Sequence, residues 1–167
     1  MLLAGIAGAA LLGSLAVDRL GANLSVVLSC GYVAAVTVPL CIADLRERRL
    51  PNTLVLPGFA LAMTAAVGGS DRGSPPYASV GLCLIALLAF GALAAAGGLG
   101  MGDVKLAGML ALALSASGLG PTALLVAVGT AFAGASVAAL VEMLHGEREV
   151  PFGPFLLAGF WTAVSAH

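Results

Sequence analysis

The stretch ASVGLCLIALLAFGALAAAGGLGMGDVKLAGMLALALSAS, Ala78 to Ser117, holds two apolar runs separated by glycines and one aspartate. The first run, 78–97, carries no charged residue, and about 20 apolar residues are what an α-helix needs to cross a bilayer. The second run resumes at Val104. Between them stand Gly97, Gly98, Gly100 and Gly102, followed directly by Asp103. Glycine suits backbone that cannot stay regular, and a carboxylate beside a membrane segment is costly unless it has a task. The stretch therefore reads as two membrane helices meeting at a polar break that has a function.

The same pattern of apolar runs and short polar breaks extends in both directions. Of the 167 residues, 60% are hydrophobic and 9% charged, with a mean hydropathy of +1.10. Soluble domains carry about 25% charged residues, so this composition belongs to an integral membrane protein. The breaks divide the chain into candidate spans at 1–17, 25–44, 52–68, 78–97, 104–117, 121–143 and 152–166. The expected fold is all-α, a polytopic transmembrane bundle of about six to seven spans in a single domain, with 104–117 tilted or partly sunk. Residues 1–17 lack a basic leading region and a small-residue cleavage site before a soluble domain, so they read as a retained helix. Residues 1–24 would then be an extra span and short loop ahead of a core at 25–167.

Lys and Arg concentrate on the cytoplasmic side of membrane proteins. Arg46, Arg48 and Arg49 mark one loop as cytoplasmic, and counting helices onward places Lys105 and Arg148 on the same side. The opposite loops from 69 to 77 and from 118 to 120 carry only Arg72, while Arg19 falls on the outer side in this scheme. Small residues such as Gly91, Ala92, Ala94, Gly129, Ala133 and Gly134 are dense in the spans, which lets helix backbones approach closely in lipid. No repeat of the kind that builds inverted-repeat transporters stands out.

Few charges mean that each carboxylate can be weighed. Asp18 and Asp71 lie beside Arg19 and Arg72, and Glu47, Glu147 and Glu149 lie among arginines, which reads as loop solvation. Glu142, a turn from His145, reads as an interfacial anchor. Asp44 and Asp103 differ, because each sits where an apolar helix meets a cytoplasmic loop, and the topology puts both at one membrane depth. Two independent helix-end residues would explain this, with Asp103 favoured at a helix N-terminus. Brought together, two carboxylates share a proton and titrate as a unit. The ionised member can then take a proton from water while the protonated member polarises a peptide carbonyl. This chemistry needs no metal and no cofactor.

Other chemistries lack their residues. Cys30, Cys41 and Cys83 form no CxxC and no Cys/His cluster, so neither a zinc site nor a redox motif is supported. A P-loop needs Gly-Lys-Ser/Thr where this chain has Gly102-Asp103-Val104, and the dinucleotide fingerprint needs a glycine where Asp103 falls. No feature suggests a nucleic-acid partner.

GMGDVKL, Gly100 to Leu106, resembles the Gly-x-Gly-Asp signature of the type IV prepilin peptidases, membrane aspartic proteases related in mechanism to presenilin-like enzymes. DLRERRLPN, Asp44 to Asn52, is similar to that family's first catalytic aspartate with its basic loop and Pro-Asn, and VPFGPFLLAG, Val150 to Gly159, is similar to its C-terminal Pro-Phe-Gly-Pro segment. The resemblance implies a catalytic pair, Asp44 and Asp103. It also implies removal of the basic leader of prepilin or pseudopilin substrates at the cytoplasmic face of the bacterial cytoplasmic membrane, just before a hydrophobic segment. Gly100 and Gly102 would then let the backbone come close to an extended substrate, Pro151 and Pro154 would set the entry of the last helix, and Pro151 and Gly153 would join the two glycines as substrate-binding or site backbone. The basic residues read as anchors to anionic headgroups. The larger relatives have a cytoplasmic insertion with paired cysteines and methylate the new N-terminus; this chain resembles the short, peptidase-only form. The competing readings are a presenilin-like protease of other helices, a small proton-coupled carrier and a non-catalytic assembly protein.

Overall fold

The computed structural model describes residues 24–47, 50–68, 76–145 and 151–166, and all regular structure in them is helical. Six helices follow in order: α1 Leu24–Glu47, α2 Asn52–Gly68, α3 Pro76–Ala95, α4 Met101–Ala116, α5 Pro121–His145 and α6 Gly153–Ala166. Each coincides with an expected span to within about three residues. The expected first span at 1–17 and its loop lie outside the described residues, as do Arg48, Arg49, Asp71, Arg72, Glu147, Arg148 and Glu149.

By length and composition, α1, α3 and α5 can cross a membrane, while α2 and α6 are apolar but shorter. The 16 residues of α4 make a helix of about 24 Å at 1.5 Å per residue, less than a bilayer core of about 30 Å. Its position explains its length. α4 packs against all five other described helices, and every residue from Leu106 to Ala116 is buried. A helix that is apolar all round belongs inside, and this one is the centre of the described bundle. α3 and α5 lie outside it with Leu84, Ile85, Leu88, Leu125 and Val137 exposed, the side chains expected to face lipid tails.

Glycine ends the helices on either side of the break. Gly97 and Gly118 have φ of 81° and 80°, the left-handed conformation that closes a helix C-terminus at little cost to glycine. After α3 the N–H of Gly98 donates to the Leu93 carbonyl at 3.0 Å, and after α4 the N–H of Leu119 donates to the Leu114 carbonyl at 3.2 Å. Both satisfy carbonyls that the helix end would otherwise leave bare.

Close approach uses other glycines. A Cβ on Gly108 would lie 2.6 Å from Leu87 Cδ2, joining α4 to α3, and one on Gly159 would run into the backbone carbonyl of Ala127, joining α6 to α5. Polar side chains add specific ties: the Tyr32 hydroxyl donates to the Leu54 carbonyl at 2.9 Å, Trp161 Nε1 donates to Thr37 Oγ1 at 3.1 Å, and the Ser115 hydroxyl donates to Ser79 Oγ at 3.0 Å. These link α1 to α2, α1 to α6 and α4 to α3. In lipid such hydrogen bonds and close contacts take over much of the role that water exclusion has in soluble cores.

Candidate active site

Asp44 lies in the last turn of α1 and would ordinarily reach for water, yet it is 5% exposed. Its Oδ2 accepts a hydrogen bond from the backbone N–H of Gly153 at 2.9 Å. The local sequence of α6 explains the free donor. The Phe152 carbonyl accepts from the N–H groups of Phe155 and Leu156, so Gly153 is the first residue of the helix and its N–H has no partner within it. Pro154 follows in the first turn, where a missing N–H costs nothing. A Cβ on residue 153 would lie 2.8 Å from Asp44 Oδ2, so only glycine lets the carboxylate sit against this helix start.

Asp103 lies in the first turn of α4, where Gly100 is extended with φ −77° and ψ 148°. Asp103 Oδ2 reaches back to accept from the Gly100 N–H at 3.3 Å, half of the reciprocal cap seen at helix starts. Its Oδ1 is buried and has no hydrogen-bond partner among the described residues. Asp103 is 9% exposed. Burial, then the negative charge of Asp44, push its carboxyl up to about 6, against the smaller opposing effect of the Gly100 N–H. A carboxylate at a helix N-terminus is normally favoured in its charged form; here desolvation and a like charge outweigh that.

The space beside the glycines is taken by Leu50. A Cβ on Gly102 would lie 3.0 Å from Leu50 Cβ, and one on Gly153 would lie 3.5 Å from Leu50 Cδ2. Half-buried Leu50 therefore touches the chain next to Asp103 and the residue that holds Asp44. Gly102 makes room for this side chain; Gly100 lies over the Asp103 carboxylate, 3.3 Å from Oδ2 to its would-be Cβ. Lys105 Nζ donates to Asn52 Oδ1 at 3.1 Å and ties the segment after α1 to α4. Lys105 thus has a partner within the protein, whereas Arg46 is exposed at the end of α1. Leu50 and Asn52 were not among the expected site residues; no feature of Leu50 marks it among the chain's many leucines.

Phe152, the residue before Gly153, belongs to a cluster with the rings of Phe90 and Phe132, centroids 5.1 to 6.3 Å apart. They join α3 and α5 to the start of α6. Pro151, just before the cluster, is half-buried. The structure so brings the segments around Asp44, Asp103 and Gly153 to one end of the bundle, although Asp44 and Gly153 stand 109 positions apart.

What this arrangement can do follows from its charges. Two buried carboxyls that feel each other do not both ionise freely, and the site holds a proton at a pH where isolated aspartates have lost theirs. Comparison with protein-family models gives a match to the type IV leader peptidase family over residues 30–140. That range includes Asp44, Leu50, Asn52, Asp103 and Lys105 and stops short of Gly153. Comparisons with curated proteins and with solved structures gave no match.

Proposed function

Because the chain belongs to the type IV leader peptidase family, we propose that it is a membrane aspartic endopeptidase that removes the basic leader of prepilin or pseudopilin substrates, with Asp44 and Asp103 as its catalytic pair. The site end of the bundle faces the cytoplasm in this reading, at the bacterial cytoplasmic membrane, as the placement of Arg46 and Lys105 suggests. The observation that supports it most is that Asp44 and Asp103 are both buried at one end of an apolar bundle, with the charge of Asp44 acting on Asp103.

One carboxyl holds the shared proton and the other is ionised. The ionised one accepts a proton from water as the water oxygen bonds to the peptide carbon, and the protonated one donates to the carbonyl oxygen. When the resulting diol collapses, the C–N bond breaks. The carboxyl that took the water's proton gives it to the departing amine, and the diol returns a proton to the other. The ledger closes as one water added across one peptide bond.

Co-expression with a candidate prepilin, followed by gel electrophoresis, tests the reading: the wild type converts the precursor to a shorter product, and an unprocessed precursor would count against it. A pH profile gives a second check. Since Asp103 in the free enzyme titrates at about 6, kcat/KM is expected to fall about tenfold per pH unit above that value as the shared proton is lost. The alkaline limb of kcat should lie at higher pH, because a bound peptide desolvates the pair further. A flat kcat/KM from pH 5 to 9 would contradict the shared proton.

A further inference from the structure

We propose that Gly153 is a positioning residue whose backbone N–H makes Asp44 the ionised, water-activating member of the pair and leaves Asp103 to carry the proton. The inference rests on the catalytic pairing proposed above.

At the level of sequence the roles are undecided. Asp103 stands at a helix N-terminus and Asp44 at a C-terminal end, which by local dipoles alone would give the charge to Asp103. The packing reverses the argument. The N-terminus of α6, a third element 109 positions along the chain, is set against Asp44 and donates at 2.9 Å. A donor this close to a carboxylate stabilises the charged form. Among the described residues Asp103 receives only the longer 3.3 Å bond from Gly100, and its Oδ1 is buried without a partner. An unpaired, desolvated oxygen is tolerated far better on a neutral carboxyl than on a charged one.

The described surroundings do not compensate. On α4 the charged neighbours are Asp103 itself and Lys105, whose Nζ is given to Asn52. On α1 they are the exposed Arg46 and Glu47, with the neutral thiol of Cys41 one turn before Asp44. Helices α2 and α6 contribute no titratable side chain to the described residues, α3 has Tyr77 and Cys83 in its first half, and α5 has half-buried Glu142 and then His145 in its last turn. The Gly153 amide is thus the specific donor to Asp44 among these residues.

The step assigned to each group is definite. Asp44 takes the proton of the attacking water and later passes it to the leaving amine. Asp103 donates its proton to the carbonyl oxygen and regains one as the diol collapses.

The test is Gly153→Ala, assayed with the intact protein in membranes or detergent against a prepilin. The methyl would push on a carboxylate at the free end of a side chain, so the bundle can keep its fold while the 2.9 Å bond is lost. The expected result is a fall in kcat of about tenfold or more, little change in KM, and an acid limb moved up by about one pH unit. Gly159→Ala, which disturbs α6 at the Ala127 backbone away from the carboxylates, should reduce the amount of folded enzyme without moving that limb. An unmoved acid limb in Gly153→Ala, with Asp44→Asn inactive, would overturn the inference and leave the pairing intact. Cleavage by Asp44→Asn would instead remove the pairing itself. Infrared spectroscopy of the wild type and the two Asn variants below pH 6 provides a readout independent of turnover. The protonated-carboxyl band should vanish in Asp103→Asn; persistence of the band there and its loss in Asp44→Asn would reverse the roles.

Discussion

Replacement of either Asp44 or Asp103 by asparagine is expected to reduce leader cleavage by about a thousandfold or more while the protein still inserts and folds. The size follows from what is removed: general acid–base catalysis by a placed side chain contributes about 10²- to 10⁴-fold, and here each partner also sets the protonation of the other. The survival of the fold follows from the geometry. Asparagine has nearly the shape of aspartate, and its amide oxygen can still accept from the Gly153 N–H at position 44 or from the Gly100 N–H at position 103. Among the described residues neither carboxylate holds a buried cation whose charge would be stranded by the change, since the Lys105 ammonium is bonded to Asn52 and Arg46 is exposed. Cleavage rates normalised to membrane-inserted protein measure the effect directly. A variant that retains even a tenth of the wild-type rate would show that its aspartate has no chemical part.

The largest effect on stability is expected at Gly159, far from this chemistry. A side chain there meets the Ala127 carbonyl and, at 3.1 Å, the Thr130 hydroxyl. Both contacts lie on α5, and the Ala127 carbonyl is backbone, which can give only if two helices separate. Gly159→Val should therefore cost about 3 kcal/mol or more, the upper range for overpacking a tight interface. Gly58 offers the comparison. Its Cβ would meet the sulfur of Met109, but a thioether at the end of an unbranched chain can swing aside. Gly58→Ala should cost about 1 kcal/mol. Thermal inactivation midpoints in one detergent should rank wild type above Gly58→Ala and both above Gly159→Val. Equal midpoints for the two variants would mean that α5 and α6 are not locked in the way their contact implies.

Helix positions were legible in the sequence because polar breaks interrupt apolar runs, and lipid demands both. Span 52–68 coincides with α2 at both ends. The arrangement of helices was much less legible. Leu88 is 73% exposed and Leu112 is 0% exposed, yet nothing in their flanking sequence separates them. A membrane helix is apolar on its lipid face and its protein face alike, so the periodicity that marks burial in soluble proteins fades. The central place of α4 was hidden for this reason, and its short length was the single clue.

The site shows the same division. Asp44 and Asp103 stood out because charge is rare in this chain, and Gly100, Gly102, Pro151 and Gly153 because they interrupt helices. The contacts among them were not readable. Spacing alone does not show that Gly102 lies against Leu50 or that the Gly153 N–H donates to Asp44. Each of these contacts joins residues far apart in the chain, where spacing carries no information.

The central claim is that the two aspartates act as one proton-sharing unit, and a double-mutant cycle tests it most directly. Leader cleavage would be followed to long times for wild type, Asp44→Asn, Asp103→Asn and the double variant. Groups that act as a unit lose their function together, so the double variant should be no slower than the slower single variant. Losses that multiply, with the double variant slower than either single one by the full factor of the other, would mean that Asp44 and Asp103 contribute independently, and would contradict the shared-proton site.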